Sequence, residues 1–220
     1  MTYSFQFRDV FAAKEELLDG LALTLQLTAS TILLGFIVGL CVAAASVYGP
    51  PKVRKAARIY VEIIRNTPLL VQLFLIFFGL PSAGIKLDVI TVCTIALAIN
   101  LGAYTAEIVR AGLESIPRSQ VEAGISLGLT GAQVFRQIIL IPALRNVYPS
   151  LTSQFVLMML ATSVVSQIAA PEMFYAGSII QSRTFRDFEV YSVIAVVYLA
   201  LSLLLRGGFA VSYRLLFRHP

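Results

Sequence analysis

The stretch SQVEAGISLGLTGAQVFRQIILIP, residues 119–142, is a polar interruption in a chain that is otherwise mostly lipid-soluble. It carries two helix-start signals in succession. Ser119 followed by Glu122 fits the capping box, in which a hydroxyl accepts from a backbone N–H three residues on and the carboxylate reaches back to the cap. Gly128 stands where a left-handed residue would end that helix. Thr130 with Gln133 then repeats the box for a second helix running toward Pro142. The spacing predicts a helix of about two turns, roughly 10 Å long, held between two corners. Its face carries little charge beyond Glu122, with Ala123, Gly124, Ser126 and Leu127 small or apolar. Such a face suits being covered by another surface, although S-x-x-E also recurs by chance in ordinary connecting loops.

Working outward, 58% of the 220 residues are hydrophobic and 13% charged, against about a quarter charged in soluble domains. This is the composition of a membrane protein. The net charge of +5 is spread between apolar segments rather than gathered on a soluble module, which sets nucleic acid aside. Cys41 and Cys93 both lie in apolar runs and act as small hydrophobes, and with a single His metal chemistry has almost no ligands available. Asp9, Lys14, Glu15, Glu16 and Asp19 occupy the place of a signal-peptide core. Val10, Phe11, Lys14, Leu17 and Leu18 fall instead at helical spacing, which predicts an interfacial helix over residues 1–20.

Crossing the hydrocarbon core takes about 20 apolar residues, and five segments qualify: 21–47, 59–80, 89–111, 147–169 and 191–209. They make one membrane domain, 21–217, of all-α class. Lys52, Arg54, Lys55 and Arg58 fill the first connection; Arg110, Arg118, Arg136 and Arg145 flank the third; Arg206, Arg214 and Arg218 follow the last. The positive-inside rule puts all three groups in the cytoplasm, with the C-terminus, and the N-terminus outside. Lys86, Arg183 and Arg186 on the other side are diluted by Asp88, Glu172, Asp187 and Glu189. Tyr48, Tyr148, Tyr175 and Tyr213 at span ends serve as interface anchors in a chain without Trp.

Polar groups inside a span have to be satisfied within a bundle or cavity. Thr24, Thr28, Thr31, Gly35 and Gly39 form a stripe suited to close helix contact, within the chain or with a second permease subunit. Glu62, Arg65 and Gln72 lie on one face of the second span, and Pro68 predicts a kink beside Arg65 and Asn66. Asn100, Tyr104 and Glu107 share a face of the third. Glu107 is either a functional intramembrane group or a partner holding helices together through Arg65 or Arg110. Thr162, Ser163 and Gln167 are expected to line a polar passage. For a zwitterion, which needs a donor for its carboxylate and an acceptor for its amine, the candidates are Asn66, Thr67, Gln72, Asn100, Thr162, Ser163 and Gln167.

The run EAGISLG from Glu122 with IILIP up to Pro142 resembles the EAA motif of the membrane subunits of bacterial ATP-binding-cassette importers. RNTPLLVQLFLIFFGLP from Arg65, AYTAEIVRAGLESIP from Ala103 and TSVVSQIAAPEM from Thr162 together resemble the permeases for polar amino acids, over nearly the whole chain from about Gly20 to Phe217. The resemblance implies an inner-membrane permease of the type I importer fold, transporting a polar amino acid. It also implies a cytoplasmic ATPase dimer that binds the ATP and Mg, a second permease subunit of the same or a sister chain, and a periplasmic amino-acid-binding protein. Glu122, Ala123, Gly124, Leu127 and Gly128 fall on the motif and are assigned to ATPase docking. The chain has no G-x-x-x-x-G-K-[ST] with which to hold ATP phosphates itself, so no cofactor of its own and no catalytic residue is expected.

Two departures limit the transfer. Ile141 stands at the motif's usual proline, with Pro142 next. Leu160 and Ala161 replace the Lys and polar residue that many members carry before T-S, so no role of that Lys carries over. A gradient-driven carrier or channel is the rival reading, but carriers show internal repeats with paired broken helices, and none is visible here. A membrane enzyme lacks a nucleophile–base or metal constellation.

Overall fold

The computed structural model describes residues 4–217; Arg218, counted above with the cytoplasmic charges, and His219 lie outside the described residues. Within them the regular elements are helices: α1 (Arg8–Ala12), α2 (Lys14–Tyr48), α3 (Pro51–Arg65), α4 (Leu69–Ser82), α5 (Val89–Glu114), α6 (Arg118–Ser126), α7 (Gly131–Ile168), α8 (Met173–Thr184) and α9 (Asp187–Leu216). Helices α2, α5, α7 and α9 are each long and apolar enough to cross a membrane, and α3 with α4 supply a fifth span if the pair, bent by 106°, is counted as one. The bend falls at Pro68, as the missing N–H requires.

Helix α5 is the central element, packed by α2, α3, α4 and α7. Its closest neighbour is α2, whose Thr24, Thr28, Thr31, Gly35 and Gly39 are all buried. Gly35 lies against Leu101, and Gly39 against Thr105 so closely that a Cβ there would collide with it. The small-residue stripe is therefore used up inside the subunit, which corrects the idea that this face suits a second copy. Tyr60 pins α3 to the same helix by donating from its hydroxyl to Ile99 O at 2.6 Å.

Helix α7 runs unbroken for 38 residues, from the second half of the polar interruption into the fourth span. Pro142 has no N–H to return to the preceding turn, and the helix meets it by loosening into a π-helical stretch over Val134–Leu140. It tightens to 3₁₀ geometry over Thr162–Ile168 before ending on Ala169 in the left-handed region.

The N-terminal segment is anchored to protein. Val10 is fully buried against a cluster with Leu17, Met173, Ile180, Val190 and Ile194. Gln6 N donates to Glu189 Oε1 at 2.9 Å, and Arg183 pairs with Glu16 at 3.0 Å. Lys14, Leu17 and Leu18 belong to the continuous α2 rather than to a separate interfacial helix. Glu172 and Glu189, counted above among the acidic residues of the outer side, are both fully buried. Glu172 caps α8 by accepting from Phe174 N and Tyr175 N at 2.9 and 2.8 Å, and accepts the Tyr198 hydroxyl at 2.7 Å, so one carboxylate ties α8 to α9.

Candidate functional site

Helix α6 forms the first half of the site. Its start differs from expectation: Pro117 is the cap residue, Arg118 opens the helix, and Ser119 lies within the first turn with no side-chain capping bond. A proline at a helix start forfeits nothing, since that N–H has no intrahelical partner. The other end matches. Gly128 has φ +80°, Gly128 N donates to Ile125 O at 2.9 Å and Leu129 N to Gly124 O at 3.2 Å. This is the pair of reversed bonds of a Schellman stop. Thr130 and Gln133 complete the expected capping box directly afterwards.

The five residues assigned to docking separate by direction. Glu122 and Ala123 are exposed, and Leu127 is 82% exposed. Gly124 points inward instead: it is buried, and a Cβ there would meet the Ile138 side chain of α7. It acts as a spacer that lets α6 lie flat on α7, and Gly128 supplies the corner. Ile125, 60% exposed, joins the outward surface. Reading the helix as amphipathic would not have found it, because an exposed Ile contradicts that pattern.

The second half is a polar face shared by α3, α5 and α7. A cleft of about 620 Å³ is lined by Arg58, Glu62, Arg65, Glu107, Arg110 and Glu114 among others. Glu107 is gripped by Arg110, Nε to Oε2 at 2.9 Å and a second nitrogen to Oε1 at 2.6 Å, while Arg65 stands 3.7 Å from Oε1. Both alternatives for Glu107 pairing thus occur, with Arg110 the tighter partner; Glu62 lines the same cleft. A neighbouring cleft of about 480 Å³ opens beside the α3–α4 corner and shares Arg65, Asn66 and Tyr104 with the first. Thr67, Asn100, Gln154, Leu157 and Ala161 also line it.

Of the residues expected along a solute passage, Asn66, Thr67 and Asn100 are brought together here. Gln72 is not on the wall. It is buried, and its side chain is spent on the corner itself, with Nε2 donating to Ile64 O and to Thr67 O while Oε1 accepts from Asn100 Nδ2 at 2.9 Å. Thr162, Ser163 and Gln167 are not brought to either cleft. Thr162 is fully buried, and Thr162 and Ser163 return their hydroxyls to Met159 O and Leu160 O, as side chains in a 3₁₀ turn readily do. Arg65, Tyr104 and Gln154 are polar lining residues that the donor–acceptor inventory passed over; for the first two the recurrence of polar groups on one face of α3 and of α5 was the available signal.

The family profile described as binding-protein-dependent transport system inner membrane component matches residues 31–217, which take in α6 and both clefts. The chain belongs to this family. Among members, the L-cystine transport system permease protein TcyL of Bacillus subtilis (strain 168) is 33% identical over 87% of this chain and 83% of its own. The glutamine transport system permease protein GlnP of Escherichia coli (strain K12) is 34% identical over 91% and 93%. A crystal structure of an amino acid ABC transporter with histidines superposes with a TM-score of 0.89 at 35% identity, covering 96% of this chain and 99% of that one. The helical layout is accordingly the type I permease fold of ATP-binding-cassette importers.

Proposed function

We propose that this chain is the membrane-spanning subunit of an importer that carries a polar amino acid across the inner membrane, driven by ATP hydrolysed on a separate ATPase dimer and fed by a periplasmic amino-acid-binding protein. One observation carries the coupling: α6 is a short helix with a defined stop at both ends, seated on α7 through Gly124, and it turns Glu122, Ala123, Ile125 and Leu127 outward. Three apolar or small groups around one carboxylate make a surface that gains by burial against a partner. Because α6 continues through the Thr130 box directly into α7, a displacement at the docking surface is delivered to a helix that lines the inner cleft.

The solute route is the α3–α5–α7 face. The inner cleft supplies Asn66, Thr67 and Asn100 with the guanidinium of Arg65, and the charged cleft beyond it leads along Glu62, Glu107 and Arg110. The relatives named for cystine and glutamine transport support an amino acid as the cargo. Reconstituting the chain with its partner ATPase and binding protein tests the reading. ATP- and binding-protein-dependent uptake of an amino acid is expected; uptake by the chain alone, driven by an ion gradient, would contradict it.

A further inference from the structure

Resting on the reading just proposed, we infer that Arg65 is the residue that takes the substrate's α-carboxylate in the inner cleft, and that Glu107 is where its guanidinium waits when the cleft is empty.

Arg65 is the one charged side chain among those lining the inner cleft, and it lines the charged cleft as well. Its attachment to Glu107 is loose. Arg110 already meets both oxygens of that carboxylate with hydrogen bonds of 2.6 and 2.9 Å, whereas Arg65 stands off at 3.7 Å. Arg110 is held in turn by Glu114, so the charge of Glu107 stays compensated if Arg65 leaves. The guanidinium of Arg65 lies over the Tyr104 ring at 5.5 Å from its centre. Stacking of this kind fixes the plane while leaving the N–H edge open for a carboxylate, the geometry that guanidinium recognises with two parallel bonds.

The neutral side chains expected along the passage are partly committed elsewhere. Asn66 Nδ2 donates to Glu62 O at 2.8 Å, and the Thr67 hydroxyl donates to Ile63 O at 2.8 Å while accepting from Gln72. Asn100 Nδ2 is given to Gln72. Each has at least one donor committed, and among the lining side chains Arg65 alone brings a positive charge and a fork of N–H groups to a carboxylate. Beyond it the wall continues as Leu69, Leu157 and Ala161, with no second charge to compete for the anion.

The test is equilibrium binding to the purified permease–ATPase complex without the periplasmic protein, so that recognition by the latter does not enter. Each of the twenty radiolabelled amino acids is screened, and the best binder is then compared with its α-carboxamide. Arg65→Gln is expected to weaken the acid about tenfold or more, from the loss of a charge-assisted pair, and to leave the amide unchanged. Arg65→Lys, which keeps the charge but not the fork, is expected to fall between, and serves if the glutamine variant does not assemble. Unchanged binding of the acid by either variant, or equal weakening of acid and amide, would overturn the assignment. A wild-type complex that imports an amino acid yet binds none of them overturns it too, whereas one that imports none counts against the proposed function instead.

Discussion

The amide nitrogen of Gln72 stands 2.7 Å from the carbonyl oxygen of Ile64, the acceptor that residue 68 would serve in an unbroken helix. Residue 68 is a proline and has no N–H. Gln72 therefore supplies the donor that the backbone lacks, and its other end holds Asn100 of α5. The bend between α3 and α4 is built, not loose.

Replacing Gln72 by Leu keeps the volume and removes both ends of this bridge. Buried groups left without partners cost about 1–3 kcal/mol each, so a clear drop in the thermal midpoint of the detergent-solubilised subunit is expected, together with slower transport. An unchanged midpoint would mean the corner holds without it.

The bend shows how far the sequence could be read. Proline and glycine marked corners correctly at Pro68 and Gly128, because each acts through its own backbone. The Thr130 box was legible for the same reason. Direction was not legible: Gly124 and Glu122 sit two apart on one short helix, yet one faces α7 and the other solvent. Likewise Gln72 and Thr162 carry the polar groups a solute would want, and both spend them on the protein's own carbonyls. Which polar group is free is settled by tertiary partners, and those lie in distant parts of the chain.

The burial of Glu172 gives a second test. Glu172→Ala strips the acceptor from two backbone N–H groups and from the Tyr198 hydroxyl. A buried network losing one member is strongly destabilising, so a lower midpoint is expected, with Glu172→Gln milder because it retains one acceptor oxygen. Tyr198→Phe should cost about 1 kcal/mol. Equal midpoints for all three variants and the wild type would contradict the role.

Asp88 offers a pH test outside the spans. It caps α5 by accepting from Thr91 N at 2.9 Å, and the Thr91 side-chain and backbone bonds hold its carboxyl below the ordinary value of 3.8. A depressed folded-state value adds stability above the unfolded value and loses it as pH falls through the folded one. The midpoint difference between wild type and Asp88→Ala is thus expected to be constant above roughly pH 5 and to shrink below about pH 4. A difference that grows on acidification would contradict the sign.

On α6, Gly124→Leu and Leu127→Asp should separate. The first drives a side chain into Ile138 and destabilises the subunit by the roughly 1–3 kcal/mol typical of overpacking, so its thermal midpoint falls. The second falls on a side chain that is 82% exposed, so its midpoint should match the wild type. Identical midpoints for both would show that Gly124 is not a spacer.

The most direct measurement is the initial rate of ATP-dependent amino-acid uptake in proteoliposomes by a complex carrying Leu127→Asp with Glu122→Arg, set beside the amount of ATPase that co-purifies. Loss of both, in a subunit that unfolds at the wild-type temperature, is expected if α6 is where the motor engages. Wild-type uptake with the full complement of ATPase bound would contradict it.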